Sequence, residues 1–294
     1  MDFNDSPEEA AFRAEARAWL EKTLGTLNAK TNTRVEGPEA MKAAKAYQKK
    51  KAESGYAGLT WRKEVGGREL APIFSVIFSQ EEQKFQAPTG PFAIGLGMCI
   101  PTVIAFHAPD KIKRYVGPAL KGEEIWCQLF SEPSAGSDVA GLKTRAVKDG
   151  DDWIINGQKV WTSGAHYSDY GIVLVRTNPE KEKHKGLTYF VVDMHQPGVE
   201  VRPLRELTGR AMFNEVFLTD ARVDDASLIG GLNNGWAVAM TLLGHERGEA
   251  AATLPIRFQA EVDRLFLLAK ERGVADDPRI RQRLAQAYAK VQIM

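Results

Sequence analysis

The chain has 294 residues, of which 44% are hydrophobic and 26% charged, so it is long enough for about two domains and apolar enough to fold. Its 39 Lys and Arg residues nearly balance 38 Asp and Glu residues, and the net charge of +1 provides no basic excess for binding nucleic acid. The two cysteines and five histidines show no metal-ligand or disulfide spacing. We therefore expect a reduced, cytoplasmic compartment, no nucleic acid partner and no metal site.

The first part of the chain has a helical pattern. Ser6-Pro7-Glu8-Glu9 combines an N-cap residue, a proline for the first turn and the glutamate of a capping box. One apolar helical face follows, made of Phe12, Ala16, Trp19, Leu20 and Leu24. Because charges interrupt this segment, it is neither a signal peptide nor a membrane span. Further helices are predicted at 39–54, 72–86 and 110–120.

Near Trp126 the pattern changes to short β-rich runs. They lie at 153–155, 171–176, 187–193, 199–203 and 214–221. Asp149-Gly150 and Asn156-Gly157 favour hairpin turns, because both dipeptides tolerate positive φ. The region from 126 to 231 therefore reads as an antiparallel β domain.

Helical periodicity returns after Gly230-Gly231 and continues to the last residue. Pro255 is expected to begin, end or kink a helix, and Asp277-Pro278 to open the last one. That helix reaches Met294 without a glycine cap, from which we expect that part of a further helical unit is missing. The predicted fold is α+β and multidomain, with a helical domain at 1–125, the antiparallel β domain at 126–231 and the incomplete start of a helical bundle at 232–294.

Two clusters of small and polar residues lie in the β region. The first, QLFSEPSAGSD at 128–138, allows close backbone approach to a ligand and supplies hydroxyl groups. In the second, NGQKVWTSGA at 156–165, an indole beside two hydroxyls could stack on a flat ring and hydrogen-bond to its edge. Taken alone, the first is more typical of an ordinary loop and the second of a core tryptophan beside a solvated turn.

A third segment, Leu243-Gly244-His245-Glu246-Arg247, follows Trp236 on a predicted helix. Adjacent Glu and Arg residues on a helix are usually part of a solvated face, because neighbours in sequence do not face each other. A single histidine such as His245 is as often structural as functional. On its own this segment assigns no chemistry.

In this order, however, the segments resemble the acyl-CoA dehydrogenase family. The likeness begins with GYAGLTW at 55–61 and covers nearly the whole chain. In the β region it continues through SEPSAGSD at 131–138, TRAV at 144–147, INGQKVWTSGA at 155–165, GLTYFVVDM at 186–194 and PGVEVRPL at 197–204. It ends in FNEV at 213–216, NGW at 234–236 and LGHER at 243–247. The resemblance implies a flavoenzyme with helical, β and helical domains that holds FAD between the last two.

The resemblance also implies roles for residues. It places a set of cofactor-binding residues around the flavin: Gln128, Leu129, Phe130, Ser131, Trp161, Thr162 and Ser163. Ser137 is expected at the CoA thioester arm, and Gly244, His245 and Arg247 are expected to bind substrate. In members similar to isovaleryl-CoA and long-chain dehydrogenases, the glutamate immediately before this arginine is the catalytic base. The resemblance therefore implies that Glu246 is the base. It would remove the α-proton of the thioester while a hydride leaves the β-carbon for flavin N5.

We therefore expect an acyl-CoA dehydrogenase of fatty acid metabolism or β-oxidation, with an acyl-CoA substrate and an electron-transferring flavoprotein as acceptor. The chain is expected to form a homo-oligomer or a heteromer with a related subunit. Three alternatives stay open at this point: a non-catalytic or half-site subunit of a heteromeric dehydrogenase, an inactive truncated remnant, and hydroxylation by a reduced flavin on the same scaffold.

Overall fold

The structure is a computed structural model that describes residues 4–25, 37–85 and 87–294, with the side chains at 248–253 left aside. Its α-helices in these ranges are α1 (Pro7–Leu24), α2 (Pro38–Glu53), α3 (Pro72–Lys84), α4 (Ile100–Phe106), α5 (Pro109–Leu120), α6 (Gly235–Glu271) and α7 (Pro278–Ile293). Its strands are β1 (Trp126–Leu129), β2 (Arg145–Asp149), β3 (Asp152–Lys159), β4 (Tyr170–Arg176), β5 (Leu187–Asp193), β6 (Val199–Leu204), β7 (Phe213–Asp224) and β8 (Leu228–Ile229). Helices, a β-sheet and further helices thus follow one another along the chain, which confirms the predicted α+β fold class.

The described elements form two compact units. One contains α1, α3, α7 and the part of α6 that begins at Arg247, and the other contains α2, α4, α5, the sheet and α6 up to Glu246. Pro255 lies inside α6 and neither begins nor ends it. No helix in the described ranges combines the length and apolar character needed to cross a bilayer.

In the first unit, α1 begins as predicted. The backbone N–H of Glu9 donates to Ser6 Oγ at 3.3 Å, and the N–H of Ser6 donates to Glu9 Oε2 at 2.7 Å, which completes the capping box. The apolar face of α1 packs on α3 through an edge-to-face pair of Phe12 and Phe74, with ring centroids 5.0 Å apart.

Glu81 of α3 is a fully buried carboxylate within this helix pair. Its oxygens accept hydrogen bonds from Arg13 at 3.1 Å, Arg17 at 2.9 Å and Lys84 at 2.7 Å. Burial alone would raise the pKa of Glu81, but the hydrogen bonds from these three cations outweigh it and lower the pKa to about 2. The carboxylate is therefore ionised across the physiological pH range.

In the second unit, the sheet has the strand order β6-β7-β3-β2-β4-β5-β8, and β1 pairs with β4. Most pairs are antiparallel, as predicted, but β1 and β2 both run parallel to β4. The central strands are buried on both faces: Ile172, Leu174 and Tyr189 pack toward α4, α5 and α6, whereas Val173, Val175 and Phe190 pack toward side chains of β3 and β7. This double burial explains why β4 and β5 are continuous apolar runs.

The predicted turn at Asn156-Gly157 is wrong, whereas the turn at Asp149-Gly150 does join β2 to β3. Asn156 and Gly157 lie inside β3, where the pairing with β7 shifts register between Ile155 and Gly157 as in a β-bulge. The glycine is required by close approach, because a Cβ there would lie 2.3 Å from Thr144 Oγ1. An Asn-Gly pair can therefore mark a bulge as well as a turn.

The start of α6 is fixed against the sheet. The backbone N–H of Asn233 donates to Thr188 Oγ1 at 2.9 Å, and the hydroxyl of Thr177 donates to Asn233 Oδ1 at 3.0 Å. At Gly235, a Cβ would lie 2.7 Å from the carbonyl carbon of Leu187 and from the amide nitrogen of Thr188. Only a residue without a side chain lets the helix begin this close to β5.

The ion cluster at Glu81 predicts an acid-dependent contribution to stability. Glu81→Gln should lower the free energy of unfolding at pH 7 by about 1.5–3 kcal/mol, because it removes charge-assisted hydrogen bonds. Since the folded-state pKa lies below the unfolded one, this contribution is complete above about pH 4.5 and is lost as the pH falls toward 2. Denaturant unfolding of both proteins at pH 7 and pH 3 checks this, and a difference that does not shrink at pH 3 would contradict it.

Two glycines of α6 predict stability changes of opposite sign. Gly235→Ala should destabilise the protein by about 1–3 kcal/mol, because its Cβ meets backbone atoms of β5 that cannot move aside. At Gly244, where a Cβ meets nothing within 4 Å outside the helix, alanine should stabilise by about 1 kcal/mol through helix propensity. Thermal unfolding of the two variants measures both effects, and equal shifts in Tm would contradict the close approach at Gly235.

Candidate active site

A cavity of about 420 Å³ opens within the second unit, between the sheet and helical segments. This volume lies in the usual range for small-molecule sites. The lining residues come from four stretches of chain: Ile94 and Met98; Gln128, Phe130, Ser131, Gly136, Ser137 and Val139; Val160, Trp161 and Ser163; and Leu243 and Glu246. Apolar, hydroxyl and carboxylate groups thus face one space.

The first wall is the end of β1 and the residues after it. Strand residues alternate between faces, so Gln128 faces the cavity while Leu129 faces the other side of the sheet, where it is fully buried beside Cys127. Phe130 lines the cavity and packs edge-to-face on Tyr189, with ring centroids 6.1 Å apart. Ser131 follows, and its hydroxyl-bearing side chain also lines the cavity.

The second wall follows the end of β3. The N–H of Val160 donates to the carbonyl of Ser131 at 2.9 Å, which joins this wall to the first. Trp161 has a φ of 59° and a side chain that is 62% exposed, although tryptophan is usually buried and disfavours positive φ. Its indole is held edge-to-face by Phe213 at 5.9 Å. An exposed aromatic ring held in a strained backbone conformation is typical of a ligand-binding position.

Thr162 and Ser163 continue this wall differently. Asn214 makes two hydrogen bonds to the backbone of Thr162. The N–H of Thr162 donates to the Asn214 carbonyl at 3.0 Å, and Asn214 Nδ2 donates to the Thr162 carbonyl at 2.8 Å. The side chain of Thr162 is buried behind the cavity, and its Oγ1 has no hydrogen-bond partner. Ser163 is the residue that faces the cavity.

A buried ion pair lies directly behind both walls. Lys159 is fully buried, and its Nζ donates to Glu132 Oε1 at 2.9 Å, to the carbonyl of Phe130 at 3.1 Å and to that of Leu174 at 2.7 Å. Burial lowers the pKa of Lys159 to about 8, against the attraction of Glu132, so the amine keeps its proton at neutral pH. Burial would raise the pKa of Glu132, but Lys159 and neighbouring N–H groups hold it below its usual range.

The loop after Glu132 supplies the third part of the lining. Glu132 and Ala135 exchange two backbone hydrogen bonds of 3.0 Å, which form a tight turn. Gly136, Ser137 and Val139 then line the cavity. Arg176 holds the far end of this loop by donating to the carbonyl of Ala140 at 2.7 Å.

Helix α6 supplies Leu243 and Glu246 to the same cavity. The side chain of Glu246 is exposed, so its carboxylate is accessible from the cavity. The neighbouring His245 is partly buried with no hydrogen-bond partner for Nε2, and burial lowers its pKa, which favours the neutral ring. Gly244 and Arg247 are exposed and do not line the cavity.

The structure thus brings together seven of the residues singled out in the sequence: Gln128, Phe130, Ser131, Ser137, Trp161, Ser163 and Glu246. It does not bring the side chains of Leu129, Thr162, Gly244, His245 or Arg247 into the lining. Sequence reasoning missed the apolar lining residues Ile94, Met98 and Val139. Val160 and Leu243 lie in segments quoted from the sequence but were given no role there. Beside Ile94 and Met98, the stretch Gly95–Cys99 is π-helical, a feature frequent at functional sites. Among the residues that the structure describes, no cluster of three His, Cys, Asp or Glu side chains could hold a metal ion.

Comparisons with known proteins identify the family of this chain. Family profiles match along the chain as "Acyl-CoA dehydrogenase, N-terminal domain" at 6–123, "middle domain" at 127–221 and "C-terminal domain" at 233–294. Acyl-CoA dehydrogenase IpdE1 of Mycobacterium tuberculosis is 41% identical over 287 residues, which cover 96% of this chain and 74% of that protein.

Solved structures give the same result. The structure described as "Tcur3481-Tcur3483 steroid ACAD" superposes with a TM-score of 0.84 and 28% identity, covering 100% of this chain and 75% of that one. The ChsE4-ChsE5 complex from Mycobacterium tuberculosis gives a TM-score of 0.81 and 28% identity, again with 100% and 75% coverage. The chain therefore belongs to the acyl-CoA dehydrogenase family, whose members are oxidoreductases acting on the CH–CH group of acyl-CoA thioesters.

Proposed function

We propose that this chain is an FAD-dependent dehydrogenase that forms the α,β double bond of an acyl-CoA thioester, with Glu246 as the base. The observation that supports this most is that the carboxylate of Glu246 lines the same cavity as the hydroxyl and aromatic wall of the sheet. Members of this family use FAD. The reaction requires a base on one element and a cofactor on another, both facing the substrate.

The residues of the sheet side fit a flavin ring. Trp161 offers an exposed indole for contact with a flat heterocycle, and Ser131 and Ser163 offer hydroxyls to its polar edge. Thr162 lies directly before Ser163, and its buried Oγ1 has no hydrogen-bond partner. We propose that Thr162 contributes to cofactor binding from behind the lining, through its backbone. Phe130 and Gln128 complete the wall, and Leu129 supports it by packing in the core behind Gln128.

The remaining lining residues fit an acyl-CoA thioester. Ile94, Met98 and Leu243 provide apolar surface for the acyl chain, whose burial is worth about 25 cal/mol per Å². Ser137 can hydrogen-bond to the CoA arm. We propose that Gly244, His245 and Arg247 contribute to substrate binding from outside the lining itself, with Arg247 near the CoA arm or orienting the helix. A guanidinium stays protonated and cannot be the base.

In the proposed reaction, Glu246 accepts the α-proton of the thioester on its carboxylate. The electron pair of that C–H bond becomes the α,β double bond as the β-hydrogen leaves with its own pair. Bound FAD would supply the acceptor for this hydride, and the electron-transferring flavoprotein that we propose as partner would be the final acceptor of the two electrons. The protein's own contribution is orientation of the thioester against the base.

The comparisons favour a ring-bearing or otherwise bulky acyl group over a short one. The similar structure described as a steroid ACAD carries that substrate class in its own description. We therefore extend the proposal to thioesters of steroid or other cyclic acids, and a panel of thioesters from short-chain to steroid-ring acyl groups tests the order of preference.

A second candidate is that the chain is one subunit of a heteromeric acyl-CoA dehydrogenase. Two similar structures are described as pairs of different chains, ChsE4-ChsE5 and Tcur3481-Tcur3483. In this case a related subunit would complete the flavin site. Co-purification of a second related chain, with FAD present only in the complex, would favour this candidate, whereas FAD bound to this chain alone favours the first.

The assignment of Glu246 predicts a specific loss. Glu246→Gln should slow anaerobic reduction of bound FAD by acyl-CoA by about 10²–10⁴-fold, because the amide cannot accept the α-proton. FAD content should not change, since the residue lies on α6 and not on the flavin wall. Stopped-flow absorbance of the flavin band measures the rate.

Glu261→Gln is the matched control for this prediction. Glu261 lies on the same helix, is exposed and pairs only with Arg264 at 3.2 Å among the described residues. Its substitution should leave the reduction rate unchanged. A normal rate in Glu246→Gln would contradict the assignment of the base.

A further inference from the structure

The buried Lys159 ammonium group meets three oxygen atoms and no donor. Its partners are Glu132 Oε1 at 2.9 Å and the carbonyls of Phe130 and Leu174 at 3.1 and 2.7 Å. An ammonium group has three N–H donors, so each one is used. A neutral amine has only two N–H donors, so one of the three oxygens would face its lone pair. The observed arrangement of acceptors therefore requires the charged form.

Glu132 extends this contact to a further stretch of chain. Its side chain is only 5% exposed, and besides Lys159 it accepts the backbone N–H of Lys143 at 2.6 Å and that of Thr144 at 2.9 Å. The carboxylate therefore joins the turn after β1 to the segment that enters β2. Between these two points lies the loop that carries Gly136, Ser137 and Val139.

The ion pair thus contacts three segments of chain that line the cavity, and it does so from the side away from the cavity. Phe130, whose carbonyl accepts from Lys159, is itself a lining residue, and Ser131 follows it. Lys159 immediately precedes Val160 and Trp161, and the N–H of Val160 donates to the Ser131 carbonyl at 2.9 Å. The third stretch is the loop bounded by Glu132 and Lys143. The Leu174 carbonyl ties all of them to the centre of the sheet.

The placement of this pair is not explained by stability alone. Burying two charges costs several kcal/mol per ion, and apolar residues of similar volume often serve a core equally well. Buried ionic groups do, however, fix a single arrangement of the chain around them. Here the arrangement that they fix is that of the flavin-facing residues.

We propose that Lys159 and Glu132 are positioning residues for the cofactor, whose ion pair sets the Phe130–Ser131 and Val160–Ser163 walls in the relative placement that the flavin ring requires. This inference rests on the proposed function. Neither side chain touches the cavity, so both act through the residues that they hold.

The test uses the full chain and the double variant Lys159→Met with Glu132→Gln. Methionine keeps nearly the length of the lysine stem, so the core stays filled without charge. Glutamine keeps one carbonyl oxygen, an acceptor for one of the two N–H groups of Lys143 and Thr144, which donate to different oxygens of Glu132. We expect the double variant to fold with a lowered Tm, because the carbonyls of Phe130 and Leu174 lose their donor, and FAD binding is measured well below that Tm. FAD affinity, measured by fluorescence titration, should fall by about tenfold, which corresponds to roughly one lost hydrogen bond. The visible flavin band should also change in position or fine structure.

The matched control is the double variant Arg114→Met with Glu124→Gln. This pair joins α5 to the start of the β region with an Arg114 Nη1 to Glu124 Oε1 distance of 2.8 Å and does not adjoin the cavity. It should leave FAD affinity and the flavin band unchanged. If FAD affinity falls equally in both double variants, the loss is a general effect of removing an ion pair. That result would overturn the proposal.

Glu132→Asp decides the question if the double variant does not fold. It keeps the charge but shortens the carboxylate arm by one methylene, so that Lys159 and both N–H groups cannot be reached together. A folded Glu132→Asp protein, or a folded double variant, with wild-type FAD affinity and spectrum would overturn the positioning role. A wild-type chain that binds no FAD would contradict the proposed function itself, and this is measured before any variant.

Discussion

A lysine ammonium group buried in a β-sheet needs three hydrogen-bond acceptors. In this molecule, the segments that supply them are thereby held together at the centre of the sheet. Lys159 finds them on the turn after β1, on Glu132 and on β4. Since Glu132 also accepts two backbone N–H groups, a single buried contact joins four segments of the chain. Three of these segments lead directly into the lining of the cavity. Under our proposal, this contact fixes the geometry of the site from the side away from the cavity, through residues that do not line it.

The base side of the site depends on a different constraint, the close approach of α6 to β5. Asn233 and Gly235 fix the first turn of the helix against Thr188 and Leu187. Glu246 lies eleven residues further along, about 16 Å of helix rise from that anchor. A regular helix transmits its starting position along its length, so the placement of the carboxylate follows from contacts at the opposite end of the same segment.

Much of this architecture could be predicted from local patterns. The capping box at Ser6, the order of helical and β segments, and the polar clusters around Ser131 and Trp161 all rest on short-range chemistry that the sequence displays. The bulge at Gly157 and the parallel pairing of β1 could not be predicted, because both depend on partners distant in the chain. The same holds for Ile94 and Met98, since an apolar residue facing a cavity has the same local signature as one in the core. The sequence assigned no role to Lys159, because its burial and its three acceptors depend on segments distant in the chain.

The central claim is that the sheet wall and Glu246 together form one flavin and thioester site. The most direct measurement is the visible absorption spectrum of the purified chain, mixed with FAD, before and after anaerobic addition of the thioester panel. We expect a protein-bound flavin spectrum that bleaches with at least one thioester, with a preference for bulky or cyclic acyl groups. A chain that retains no flavin, or a bound flavin that no thioester bleaches, would contradict it.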